Sequence, residues 1–322
     1  MVRPFKKDIN FLKNRRIFFT ISLILVVAAI TVFIIRGPNL GIEFVGGTSI
    51  NFTNTGAITT EEMRSAFTDA GSDPPIVQTT SSGAGEGDSG FVVRTSETDS
   101  VAASALADEV ALALELESDS FQVMTIGPSY GLEIAKNSAI AFLIAIGLII
   151  AFVAIRFEYK MGLVAILGLV HVMIIILGIY AATGREINPN VVAALLTIMG
   201  YSLYDTVVVF HRIKDNSDAT NRHSFMTVAN HSINQVLMRS INTTTTSLVP
   251  ILAMLFFGGE TLKDFAFAMA FGVVLGACTS LFISTPIYAL WKQREAKHKK
   301  LYEKYGDGIG EFTVADNLGE SR

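Results

Sequence analysis

Residues 17–35 read IFFTISLILVVAAITVFII, a run of nineteen without a charge. At 1.5 Å per residue such a helix is about 28 Å long, close to the thickness of a bilayer's hydrocarbon core. A basic arm with Arg3, Lys6, Lys7, Lys13, Arg15 and Arg16 precedes it, which also suits a signal peptide. Signal peptides, however, carry apolar cores of roughly 7–15 residues and end in a small-residue cleavage site. Here the run is longer, and Arg36-Gly37-Pro38 closes it. It reads as an uncleaved first transmembrane helix.

The rest of the chain agrees. Of 322 residues, 50% are hydrophobic and 17% charged, against about 25% charged in soluble domains. Further apolar runs recur near 137–155, 162–182, 191–210, 241–257 and 265–290, six in all with the first. The last exceeds one crossing and predicts tilt, or a bend at Gly272, Gly276 or Pro286. A simple soluble enzyme, a disordered chain and a basic nucleic-acid binder are excluded as classes. The single Cys278 lies in an apolar run and excludes a disulfide scaffold.

Net charge is −4, from 25 Lys+Arg and 29 Asp+Glu, but the bases are segregated. Eighteen lie on the arm, at Arg156 and Lys160, at Arg212, Lys214, Arg222 and Arg239, and on the tail from Lys292 to Lys304. Six (Arg36, Arg64, Arg94, Lys136, Arg185, Lys263) fall on the opposite side. Positive charge stays inside, so both termini are expected in the cytoplasm and the polar stretch 37–133 outside.

That stretch carries 15 acids and two bases. Strands are expected at 48–53, 76–80, 91–95 and 121–126. Helices are expected at 60–70, capped by Thr59 or Thr60, and from 100 to about 116. The order βαββαβ predicts a ferredoxin-like α+β sandwich, with a Gly/Ser/acid loop at 81–90. It is either a solubilising unit or a contact surface for substrate. The resulting organisation is polytopic and α-helical with six transmembrane helices. Residues 1–36 form the arm and first helix, 37–133 the exported domain, 134–291 helices two to six, and 292–322 a basic tail with a disordered end.

The strongest functional signal is Asp205, in GYSLYDTVVVF at 200–210. An ionisable group inside a membrane helix is costly and faces a bundle interior or water. It reads as a reversible proton carrier or as an inert interhelical hydrogen bond. Ser202 shares its face, and Thr206 is adjacent. Arg212 is either an interface anchor or a member of the same stripe. Arg239 is an anchor or a cation that approaches the acid. The fifth helix begins with Ser240, Asn242 and Thr243–Ser247, polar enough to pack on other helices or line a wet path. His171 is a packed histidine or a relay. Glu186, Glu260 and Asp264 are expected to face water in outer loops. A short interfacial helix is expected within 213–238.

Gly41, Gly46 and Gly47 after helix one, and Gly127, Pro128 and Gly131 before helix two, bracket the exported domain as hinge-like connectors. The first lacks the Lys-Ser/Thr ending of a phosphate loop. Gly272 and Gly276 suit close helix packing. His223 and His231 have the wrong spacing for a metal site, and no cofactor motif appears.

Three segments, 41–48, 127–131 and GYSLYDTVVVFHRIKDN at 200–216, carry a resemblance to the SecF family, the partner of SecD in the accessory complex of bacterial secretion. The resemblance implies half of a resistance-nodulation-division type transporter. SecD supplies the other half, and the pair associates with the SecYEG channel and with YajC and YidC. It implies a cell-membrane translocation component, not an enzyme, that uses proton flow to promote export of unfolded polypeptide. Asp205 then matches the family's intramembrane aspartate, and Arg239 its basic position near helix five. His211 departs from a usual aspartate and Tyr204 from a frequent asparagine. Alternatives are a non-coupling structural subunit and a proton-driven exporter of small molecules.

Overall fold

The computed structural model describes residues 8–306, apart from 54, 57, 82–88, 118, 119 and 220–222. Arg3, Lys6, Lys7, Arg222, most of the expected 81–90 loop and the tail beyond Gly306 lie outside the described residues.

Among the described residues six helices are long and apolar enough to cross a membrane. The first is α1 (Arg15–Arg36). A one-turn helix α2 (Ile42–Val45) follows and leads into the sandwich. The sandwich contains β1 (Gly47–Phe52), α3 (Thr60–Asp69), β2 (Ile76–Ser81), β3 (Ser89–Thr95), α4 (Ser100–Ala113) and β4 (Phe121–Ile126). The chain then returns through α5 (Pro128–Arg156), α6 (Tyr159–Thr183), α7 (Pro189–Ala219) and α8 (Phe225–Phe257). The sixth span is α9 (Glu260–Thr279), a π-helical turn (Ser280–Ser284) and α10 (Thr285–Gln293) in series, and α11 (Ala296–Tyr305) follows it.

The sheet is antiparallel throughout, in the order β2-β3-β1-β4, as a βαββαβ sandwich requires. Ile50, Phe52, Val77, Phe91 and Val93 face Met63, Phe67, Ala107, Val110 and Ala111 across one dry layer. Thr59 closes a capping box: its Oγ1 accepts from Glu62 N at 3.3 Å, and Glu62 Oε2 accepts from Thr59 N at 2.8 Å. That bond to the backbone holds the Glu62 carboxyl below its usual range.

In the membrane part, α6, α7 and the sixth span bury half or more of their most apolar windows, whereas α1, α5 and α8 bury 6%. The inner three pack closely where side chains are absent. A Cβ at Gly272 would overlap Ile198, one at Gly276 would lie 3.0 Å from Ser202 Cβ, and one at Gly178 would overlap Ala29 of α1. The sixth span does not break at either glycine. Pro286 has no N–H to give to the preceding turn, and the ladder widens there to a π-turn, in which Thr285 Oγ1 also donates to Ser280 O at 2.8 Å.

Two elements differ from expectation. The helix α5 starts at Pro128, so Gly131 lies within its first turn rather than in a free connector. Among the described residues of 213–238 there is no separate interfacial helix. Instead α7 runs on to Ala219, and α8 starts at Phe225 with its first ten residues buried. The cause is the arm. Asn234 Oδ1 accepts from Ile9 N at 2.8 Å and Asn230 Oδ1 from Leu12 N at 3.2 Å, while both amides donate to Ile9 O. Buried Asp8 and His231 lie 2.7 Å apart.

Candidate functional site

Asp205 stands midway along α7 and is 6% exposed. Among the described residues its carboxylate accepts one long bond, 3.4 Å, from Ser240 Oγ of α8. On another side of the same turn, Thr206 Oγ1 lies 2.7 Å from Ser280 Oγ, and Ser280 also donates to Ser202 O and Gly276 O. Ser202 and Thr206 thus tie α7 to the π-turn, where widening re-aims a hydroxyl at the site. Ser240 and Ser280 are two polar contacts of this site that the sequence reading did not assign. Ser240 was visible only as the first of a polar run, and Ser280 gave no signal.

Among the described residues neither candidate cation bonds directly to Asp205, although Arg239 lies near enough to act on its carboxylate through space. Arg239 donates to Tyr204 Oη at 2.6 Å, its guanidinium 5.8 Å from that ring's centroid. Arg212 donates to Gln235 Oε1 at 2.5 Å, within a knot that includes Asn216, Ser232 and His231. Arg212 is therefore anchored at the far end of the bundle, away from the sandwich, and touches no atom of Asp205. His211 sits on the surface, 3.0 Å from Asp215. His171 bridges Ser22 of α1 and Thr279 of α9 at 2.7 and 3.1 Å, which is the packed histidine of the two readings. Beyond Ser240, α8 leaves Asn242, Thr245 and Thr246 exposed at membrane depth. Tyr201 bonds Ser247 and Thr243 O beside them.

The six connector residues collect in one joint under the sandwich. Gly46 and Gly47 have φ of +80° and +122°, which favour glycine. A Cβ on Gly46 would lie 2.9 Å from Pro128 Cα, and one on Gly131 would lie 3.0 Å from Gly46 N. Gly41 N donates to Ile187 O at 3.0 Å, and Ile187 N to Asn39 O at 2.8 Å, which locks the joint to the loop between α6 and α7.

That loop corrects the expectation that Glu186 and Asp264 face water. Glu186 is 7% exposed and pairs with Arg94 of β3. Asp264 accepts from Arg185 at 2.9 Å and from Asn188 at 3.0 Å. Burial pushes the Glu186 carboxyl up to about 7; Arg94 opposes the shift, while Glu43 and Asp264 add to it. A burial that depends on docking of the sandwich is invisible to local sequence pattern.

Six spans, an acid buried between helices and a ferredoxin-like sandwich between the first two spans define a multi-pass membrane protein of the transport type. Two family models match: the SecD/SecF GG motif over residues 31–53, which contains Gly46-Gly47, and the C-terminal region of the protein export membrane proteins SecD/SecF over 108–294. The chain belongs to the SecD/SecF family of protein-export membrane proteins. It is 34% identical over 303 residues to the protein translocase subunit SecF of Streptomyces coelicolor, covering 92% of this chain and 80% of that one. It is 33% identical to SecF of Endomicrobium trichonymphae, covering 94% and 97%. Among solved structures, SecDF from Thermus thermophilus, a translocon-associated membrane protein, superposes with a TM-score of 0.81 at 31% identity. That likeness covers 89% of this chain but 39% of the longer SecDF chain. The sandwich is accordingly extracytoplasmic.

Proposed function

We propose that this chain is one half of a proton-driven accessory of the protein translocase, with a SecD-type subunit as the other half. Asp205, Ser202, Thr206 and Arg239 form or flank the coupling site, in which Asp205 carries the proton, while Arg212 anchors the end of the same helix. The carrying observation is that Asp205 is buried against α8 with a single long hydrogen bond, beside polar α8 residues that the chain leaves uncovered at membrane depth. Uncovered polar groups in hydrocarbon are costly, so a partner or a wet seam completes that face. Both termini face the cytoplasm, from the eighteen-to-six bias of bases. The connector glycines are the joint through which the sandwich responds, and Gly272 and Gly276 permit α7 to ride closely on α9. SecYEG, with YajC and YidC, is the assembly it serves, and unfolded exported polypeptide its substrate.

Translocation into vesicles that contain the partner subunits tests this. Asp205→Asn should remove the stimulation by a proton gradient and leave the ATP-driven part intact. A scaffold reading has one observation in its favour, the Ser240–Asp205 bond itself. Full gradient-dependent export by the Asp205→Asn complex would decide for it.

A further inference from the structure

At the end of the bundle away from the sandwich, a cleft of about 460 Å³ opens where α1 starts, α10 ends and α11 turns back. Its volume falls in the range of small-ligand sites, roughly 300–1,000 Å³. Three cations from three separate segments line it: Arg15, Arg294 and Lys299. Its apolar lining is Met226 and Leu290, and Tyr302 closes one side. No acid lines it.

One of the three cations is anchored, and the helix that carries another is packed onto the bundle. Arg15 Nη1 donates to Leu12 O at 2.9 Å, which fixes its stem. Helix α11 is held by buried His298, whose ring lies 4.8 Å from that of Phe225. The nearby acid Glu295 is engaged by Lys160 at 2.8 Å and Lys292 at 3.2 Å, and Glu303 reaches Lys299 at 3.9 Å in an exposed pair. Among the described residues neither Arg15 nor Arg294 has a carboxylate partner. Three like charges around a concavity disfavour one another unless an anion sits between them. The cleft also lies at the ends of two spans, where lipid headgroups are found, with an apolar side for the start of an acyl chain.

We infer that this cleft binds the phosphate of an anionic glycerophospholipid. Arg15 and Arg294 supply planar donor forks, Lys299 a third charge, and Met226 and Leu290 contact the glycerol end. Lipid held there fastens the arm, the sixth span and α11 to one another.

The test is native mass spectrometry of the full chain in detergent, titrated with phosphatidylglycerol or phosphatidylcholine. The wild type should retain one phosphatidylglycerol at least about tenfold more strongly than phosphatidylcholine, as expected for several basic contacts. R15Q/R294Q/K299Q should lose that preference. K13Q/R16Q/K297Q, which removes the same charge from residues outside the cleft, should keep it. Equal retention of the two lipids, or equal loss in both triple variants, would overturn the site. Should the cleft variant misfold, the single variant R294Q is read instead, against R294K: loss in the first and retention in the second is expected, and no difference between them overturns the inference. Displacement of the lipid by millimolar inorganic phosphate would assign the site to a soluble anion and overturn the lipid as its source.

Discussion

At the scale of single residues, the buried acids divide by what surrounds them. Asp205 could be picked out from sequence because a charge within an apolar run is conspicuous. Glu186 could not, since its burial comes from a sandwich about ninety residues upstream, through Arg94. Its raised range has a sign. Docked, Glu186 holds its proton up to about 7, above the ordinary carboxyl value of 4.5. The docked state therefore binds the proton more tightly than the released one, so docking is strongest at low pH and weakens as pH rises through about 7. Spin labels at T68C and T183C in a C278A background should give a distance distribution that broadens between about pH 5 and about pH 8, with at most a tenfold population change per unit. E186Q should keep the narrow distribution throughout. A second residue-scale expectation concerns packing. G272L places a side chain into Ile198, and overpacking of this kind costs about 1–3 kcal/mol, visible as a lowered melting temperature in detergent.

Among elements, the sandwich was legible almost strand for strand, because period-two alternation and turn residues are local signals. The expected strand at 121–126 and the Thr59 cap coincide with the observed ones. Replacing Thr59 by Ala removes about 1 kcal/mol of cap, and should speed amide exchange in the first turn of α3 several-fold while leaving α4 unchanged. The first half of α8 departs from the expected interfacial helix for a physical reason: Asn230, His231 and Asn234 are buried because each meets a polar group of the arm. N230A/N234A leaves the part-exposed Ile9 amide and the buried Leu12 amide without acceptors, at about 1–3 kcal/mol for the buried one, and should expose the arm to protease. The π-turn left no trace in composition beyond Pro286, since a shift from four-residue to five-residue hydrogen bonding changes no residue type.

Over the whole molecule, three spans bury half or more of their most apolar windows, and three bury little of theirs. The bare apolar faces of α1 and α5 suit lipid, but the polar flank of α8 beside Asp205 does not. On the proposed reading a partner completes that face; the likeness to SecDF covers 39% of that longer chain. The resemblance to the family rests on residues 41–48, 127–131 and 200–216; the joint shows only in three dimensions, where Gly46 meets Gly131 and Gly41 bonds Ile187.

Everything in the coupling account depends on the buried carboxyl of helix α7 changing its protonation under working conditions. Infrared difference spectroscopy of the assembled complex, stepped from about pH 5 to about pH 9, reads this directly through the carbonyl band of a protonated carboxyl. The account predicts a band that titrates within that range and is missing in Asp205→Asn. A spectrum with no titrating carboxyl, or one unchanged by the substitution, would contradict it.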